Sequence, residues 1–208
     1  MLFIYIQNNN YGGMIKMHIA IEGMDGVGKT SIGRKVAEKL GFEFVEKPLH
    51  YLFDQNGSLE NYMRISTSIN EQDDKLLKLW FYGLGNIYIK SNWKGKNVVT
   101  DRHLVSNYFW NCDEKIEEAF KTLMNYASIP EITFLLYAPP EVRLKRIVER
   151  NPLDKDADNV NLYPGAYDKM KKFLEENDMD YVVIDTSHTT SDEASDIIVK
   201  YIKENILK

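Results

Sequence analysis

Five short runs of apolar, largely β-branched residues punctuate the chain: HIAIEG (18–23), FEFVE (42–46), NVVTD (97–101), EITFLLYA (131–138) and YVVIDT (181–186). Their hydrophobic positions run on rather than alternate, the pattern of strands covered on both faces. Between them the spacing changes to that of a helix. Ile32, Val36, Ala37 and Leu40 form one set, and Leu76, Leu77, Trp80, Phe81 and Leu84 a second. Ile116, Phe120, Leu123 and Met124 form a third, and Ala194, Ile197, Ile198, Tyr201 and Ile202 a fourth. Recurrence every three or four residues gathers each set on one stripe of a helix.

Strands alternating with helices predict right-handed crossovers and a parallel sheet sandwiched between helices, an α/β fold. A sheet of this kind places ligands at the carboxyl ends of its strands. Ser58 and Thr190 are expected as helix N-caps, Thr190 in a capping box with Glu193 three residues on.

Composition narrows the reading. A chain of 208 residues suits one domain, since a chain of that size buries roughly 70% of its unfolded surface. With 44% apolar and 27% charged residues it has the balance of a globular protein. A net charge of −5 argues against a general nucleic-acid or anionic-membrane partner, which calls for a basic face. Cys112 is the only cysteine, so no intrachain disulfide and no thiolate zinc site is expected, and a reducing cytoplasm is the natural home. His18, His50, His103 and His188 show no metal-ligand spacing. The opening MLFIYIQNNNYGGMIKM lacks a basic n-region, and its apolar run is too short for a signal peptide or a membrane span. Residues 1–16 are therefore expected to be an extension, or an upstream start, to a domain over 17–208.

The candidate chemistry sits where the first strand run meets the first helix run. Gly23, Gly28, Lys29 and Thr30 fit G-x-x-x-x-G-K-[ST], with a strand before and a helix after. Glycines let such a loop aim successive N–H groups at phosphate oxygens, and the helix N-terminus adds its positive end. Lys29 can reach the β and γ phosphates of ATP or GTP, and the Thr30 hydroxyl can hold Mg²⁺. Asp25, Gly26, Val27 and Ser31 complete the loop. No N-K-x-D occurs to read guanine, and DQNG (54–57) follows no strand run, so it is expected to be a turn.

IAIEGMDGVGKT resembles the opening of the thymidylate kinase and deoxynucleoside kinase group, in which E-G-x-[DE]-G-x-G-K-[ST] is typical. GKNVVTDRHLVSNYFWN (95–111) is similar to that family's glycine, hydrophobic strand and D-R-[YH]. PEITFLLYAPPEVRLKRIVER (130–150) resembles its strand, P-P-E helix start and arginine-bearing helix leading into a lid. The resemblance implies a P-loop fold, three layers α/β/α with a five-stranded parallel sheet in the order 2-3-1-4-5. It further implies ATP and Mg²⁺ as cofactors, a small nucleotide or nucleoside as substrate, and a homodimer.

Carried over residue by residue, the resemblance gives Asp101 to metal or proton handling and Arg102 to the acceptor phosphate. A planar guanidinium makes such two-pronged contacts well. Arg143, Arg146 and Arg150 fall at i, i+3 and i+7 of one helix, hence on one face, where the family's lid meets the transferring phosphate. Gly26 stands where some thymidylate kinases carry a loop arginine, so the transition-state cation is expected from Arg146 or Arg150, with Arg143 toward ATP. NPLDKDADN (151–159) is expected to be a loop closing over ATP.

The acceptor side departs from the family. EKPLH replaces R-E-P-G-G, which leaves Glu46 where deoxynucleoside kinases carry the base for a sugar hydroxyl. Asn86 in LWFYGLGN stands where an arginine falls, with Arg64 as a candidate replacement. Phe81 or Tyr82 could stack on a ring, and Asn111 could read a pyrimidine edge through its amide. Three readings follow: a kinase of a monophosphate such as dTMP, a deoxynucleoside kinase with Glu46 as base, and a nucleotide-binding protein without kinase activity.

Overall fold

The computed structural model describes residues 16–55 and 57–207. The expected extension, 1–16, lies outside them except for Lys16. All five apolar runs form strands within a residue of their expected ends: β1 (Met17–Gly23), β2 (Glu43–Glu46), β3 (Asn97–Asp101), β4 (Ile132–Tyr137) and β5 (Tyr181–Asp185). They pair in parallel in the order β2-β3-β1-β4-β5, the order the resemblance implied. Register sets Ile21 beside Asp101 and Asp101 beside Glu46, so three strands end side by side.

The four helical stripes lie in α1 (Lys29–Leu40), α4 (Lys75–Asn92), α6 (Glu117–Tyr126) and α10 (Ser191–Asn205). The remaining helices are α2 (His50–Phe53), α3 (Glu60–Asn70), α5 (Leu104–Asn111), α7 (Pro140–Arg150), α8 (Asp156–Asn159) and α9 (Ala166–Glu176). On one face of the sheet, Ile32 and Val36 of α1 and Ile198 and Ile202 of α10 pack on Ile19, Ile21, Phe134 and Leu136. On the other, Leu79, Val105, Phe120, Met170 and Phe173 from α4, α5, α6 and α9 cover Leu135. Three layers result because each central strand carries apolar side chains on both faces.

Two local expectations divide. Thr190 accepts from the Glu193 amide while the Glu193 carboxylate takes the Thr190 amide, which is the expected capping box. Ser58 is not the cap of α3. The helix begins one residue later: Ser58 accepts its first amide, that of Glu60, at 3.1 Å, and the next two, those of Asn61 and Tyr62, go to the Asp54 carboxylate at 2.7 and 2.9 Å. A carboxylate reaching back from the preceding turn accepts two amides where a serine hydroxyl accepts one. The expected closing loop is also partly helical. Asp154 takes the Asp156 amide at 3.0 Å and so helps to start α8.

Candidate functional site at the carboxyl edge of the sheet

β1 ends at Gly23, and α1 begins at Lys29 with Gly28 as its N-cap and no side-chain cap. Its first amides are therefore left for a ligand, and the helix dipole favours an anion there. The loop doubles back tightly at Gly26, which has φ +85. A Cβ at that position would lie 2.6 Å from the Arg143 carbonyl, so only glycine lets the loop rest on α7. Arg143 is 5% exposed. It donates to the Val160 carbonyl at 2.9 Å and to the Asp25 carbonyl at 3.5 Å, tying the loop to the segment after α8.

Lys29 lies along the loop, donating to the Met24 carbonyl at 2.8 Å with Asp25 3.7 Å away. Burial, with the charge of Arg102 adding, lowers its pKa to about 8. Asp25 is itself partly buried, which would raise its pKa, but Arg102 and Lys29 outweigh that and hold it below the usual carboxylate range. Asp25 pairs with Arg102, and Arg102 also donates to Ser106 at 3.1 Å. Val27 is buried in the core, so only its backbone belongs to the loop surface; its carbonyl accepts from Thr186. Thr30 and Ser31 are exposed on the first turn.

Thr30 donates its hydroxyl to Asp101 Oδ2 across the sheet edge. One turn on, Arg34 donates to Glu46 Oε1 at 2.8 Å. Two rungs thus pin one face of α1 to the ends of β3 and β2. Asp101 Oδ1 is buried without a partner. An orphan carboxylate oxygen beside a threonine hydroxyl suits Mg²⁺, which is commonly held by one or two protein oxygens together with water and phosphate. Among the described residues no cluster of three acidic, His or Cys ligands exists.

The three arginines of α7 share a face, and their partners differ. Arg143 turns into the protein. Arg146 donates to Thr186, reaching its carbonyl at 2.5 Å, at the end of β5. Arg150 is exposed and paired with Asp154 at 2.5 Å.

Acceptor-side candidates are more dispersed. Arg64 is exposed on α3. Phe81 stacks on Phe53 at 6.3 Å and meets Tyr82 edge-on at 5.1 Å. Tyr82 bonds through its hydroxyl to Asn70 at 2.8 Å, a contact that a purely stacking role would not use. Asn111, expected to read a base, lies in a buried chain of amides. It is 5% exposed, and its amide donates to Asn107, which in turn donates to Asn86 and to the Leu79 carbonyl. The Asn111 Nδ2 is thus used within the protein, as buried amides usually are.

Sequence reasoning passed over Glu22, which is fully buried just before the loop. It accepts from the His103 and Ser106 amides at 2.7 and 3.3 Å and from the Ser106 hydroxyl. Burial raises its pKa against those bonds. It clamps the start of α5, and thereby the Asp101–Arg102 turn, to β1. Its signal was one carboxylate inside the apolar run IAIEG. Tyr62 was also missed. It is 8% exposed, and its pKa is raised by burial and by Tyr82.

Comparisons with known proteins agree with this layout. A family model described as thymidylate kinase matches residues 21–197. A probable thymidylate kinase of Methanocaldococcus jannaschii is 30% identical over 90% of this chain and 96% of its own length. One from Methanosarcina acetivorans is 23% identical over 88% and 94%. A Thermococcus gammatolerans protein named provisionally as an adenylate kinase is 28% identical over 92% and 89%. Among solved structures, a deoxyadenosine kinase from M. mycoides with dCMP and dCDP superposes with a TM-score of 0.61. It is 18% identical, covering 90% of this chain and all of that one, a likeness of fold.

Proposed function

The chain belongs to the thymidylate kinase family, and from that premise we propose that it transfers the γ-phosphoryl group of ATP to a nucleoside monophosphate, with dTMP the first acceptor to test. The observation that carries the proposal is the convergence of Lys29, the Thr30–Asp101 pair and the Asp25–Arg102 pair at the open N-terminus of α1.

In this reading the backbone from Gly23 to Ser31 cradles the ATP phosphates and Lys29 exchanges the Met24 carbonyl for a phosphate oxygen. Thr30 and Asp101 hold Mg²⁺, whose charge would offset that of the triphosphate. Arg102 orients the acceptor through a two-pronged contact. Phosphoryl transfer asks mainly for positioning and charge compensation. Arg150, exposed and bound among the described residues only to carboxylates next to its own helix, is the freer lid cation to swing onto the transferring group. Arg146 supports the loop after β5, and Arg143 the rear of the cradle. Glu46 has Arg34 on one oxygen while its other oxygen is buried without a partner, so the pairing alone does not assign it, and the acceptor panel below distinguishes a structural part from that of a base.

No helix among the described residues is long and apolar enough to cross a membrane. The homodimer and the cytoplasmic setting that the sequence suggested belong to the proposal as well.

The test is ADP release with Mg·ATP across nucleoside monophosphates and the matching nucleosides. Turnover with dTMP or another monophosphate is expected, falling about 10³-fold in Lys29→Ala with the circular dichroism spectrum unchanged. Turnover with nucleosides alone would move the assignment to a deoxynucleoside kinase with Glu46 as base. Bound ATP without transfer to any acceptor would leave a nucleotide-binding protein.

A further inference from the structure

Two residues in the cleft hold a backbone conformation that side chains rarely adopt. Lys47 has φ 44 and Arg102 has φ 67. They directly follow Glu46 and Asp101, which are opposite one another in the β2–β3 ladder. The two cations therefore leave adjacent strand ends, about 5 Å apart along the backbone. Lys47 also precedes Pro48, a position that favours extended backbone. Strain of this kind is held in place where the surrounding structure requires it, and it concentrates at ligand sites.

The segments on either side of Lys47 fix where its backbone lies. Glu46 and Asp101 turn toward α1, bonded to Arg34 and Thr30. The next segment packs on α4 at Gly85, where a Cβ would sit 3.0 Å from Pro48 Cγ and 3.5 Å from Leu49 Cγ. Asn86 is the next residue of that helix, at the position where the family resemblance places an arginine. It is 5% exposed and held by Asn107, so it presents no charge. Lys47 is thus one residue from a contact whose other side is one residue from the missing cation. Arg102 and Lys29 are already compensated by Asp25. Lys47 is half-buried and makes no ion pair or hydrogen bond through its side chain among the described residues.

We propose that Lys47 is the second cation of the acceptor site, holding the phosphate of a nucleoside monophosphate together with Arg102, in place of the arginine absent at Asn86. This rests on the kinase reading above and names the acceptor class within it. Lys47 then discriminates a monophosphate from the corresponding nucleoside.

The experiment compares wild type with Lys47→Met, which keeps the aliphatic stem, and Lys47→Arg, which keeps the charge. Steady-state constants are measured for dTMP, or the best monophosphate of the panel, and for ATP, with binding of that monophosphate and its nucleoside followed by calorimetry. Expected in Lys47→Met is a rise in the monophosphate KM of about tenfold or more, the scale of one lost charge-assisted hydrogen bond. The ATP KM and nucleoside binding should stay unchanged, and Lys47→Arg should recover most of the loss. A wild type that turns over monophosphates, with the Lys47→Met constants unaltered or with nucleoside binding weakened equally, overturns the role of Lys47 and leaves the kinase reading standing. Turnover restricted to nucleosides overturns it too, and a wild type that neither binds nor phosphorylates any acceptor defeats both.

Discussion

The donor and acceptor halves proposed for the cleft share one sheet edge and are built in opposite ways. The donor half is nearly a single stretch of chain, Gly23 to Ser31, and offers mostly backbone: the amides opening α1 and the left-handed turn at Gly26. The acceptor half draws on α2 to α5 and offers side chains, many already bonded to one another, such as Tyr82 with Asn70 and Asn107 with Asn86 and Asn111. Phosphate is recognised wherever N–H groups and cations converge. A nucleobase or sugar requires donors and acceptors at fixed places on a surface, and those places are set by helix packing. The donor half can therefore stay simple while the acceptor half varies.

Gly26→Ala is the sharpest test of this contrast. A Cβ there meets backbone atoms of Arg143 at a φ that L side chains resist, so the loop must leave α7. The ATP KM should rise about 30-fold or more, corresponding to the 2–3 kcal/mol such strain and displacement can cost. The acceptor KM should change much less. Equal shifts in both constants would show that the halves are not separable.

Asn107→Ala makes the reciprocal test. It strips partners from two buried amides, Asn86 and Asn111. The expected cost is about 2 kcal/mol, a fall of roughly 4–8 °C in Tm for a chain of this length. The acceptor KM should rise while the ATP KM holds. A variant as stable as wild type would mean the asparagine chain carries little of the packing.

The smallest effect concerns protons on Lys29. In the free protein burial keeps its pKa near 8, against an ordinary 10.5. Between those values the unfolded chain holds the proton that the folded one gives up, so folding stability gains from this group as pH rises. Bound phosphates favour the charged lysine, so ATP binding should draw in up to one proton in that window and weaken as pH rises through it. Calorimetry at pH 9 in two buffers of different ionisation enthalpy reads the uptake directly. Identical heats in the two buffers would argue against the depressed value.

Legibility followed the range of the interactions. Thr190 and Glu193 close their box within three residues, so the pattern alone located the start of α10. Asp54 takes two amides of α3 from seven and eight residues away, which no cap pattern encodes, while Ser58, the nearer residue, takes only the Glu60 amide. Arg143, Arg146 and Arg150 were correctly placed on one helical face. That one is buried on the cradle, one tied to Thr186 and one left exposed depended on neighbours from Asp25, Val160 and the end of β5.

By itself the sequence determined the strands, the strand–loop–helix unit and the cations within it. Continuous apolar runs, helical spacing and a glycine-rich turn act between residues close along the chain. The family motifs added the strand order. Only the tertiary structure decided that Asn111 is buried, that Glu46 is engaged by Arg34, that Glu22 locks α5 to β1 and that Lys47 follows Glu46 in register beside Arg102. Each of those outcomes is a contact between parts of the chain far apart in sequence, and it forms only when the sheet and its covering helices bring them together.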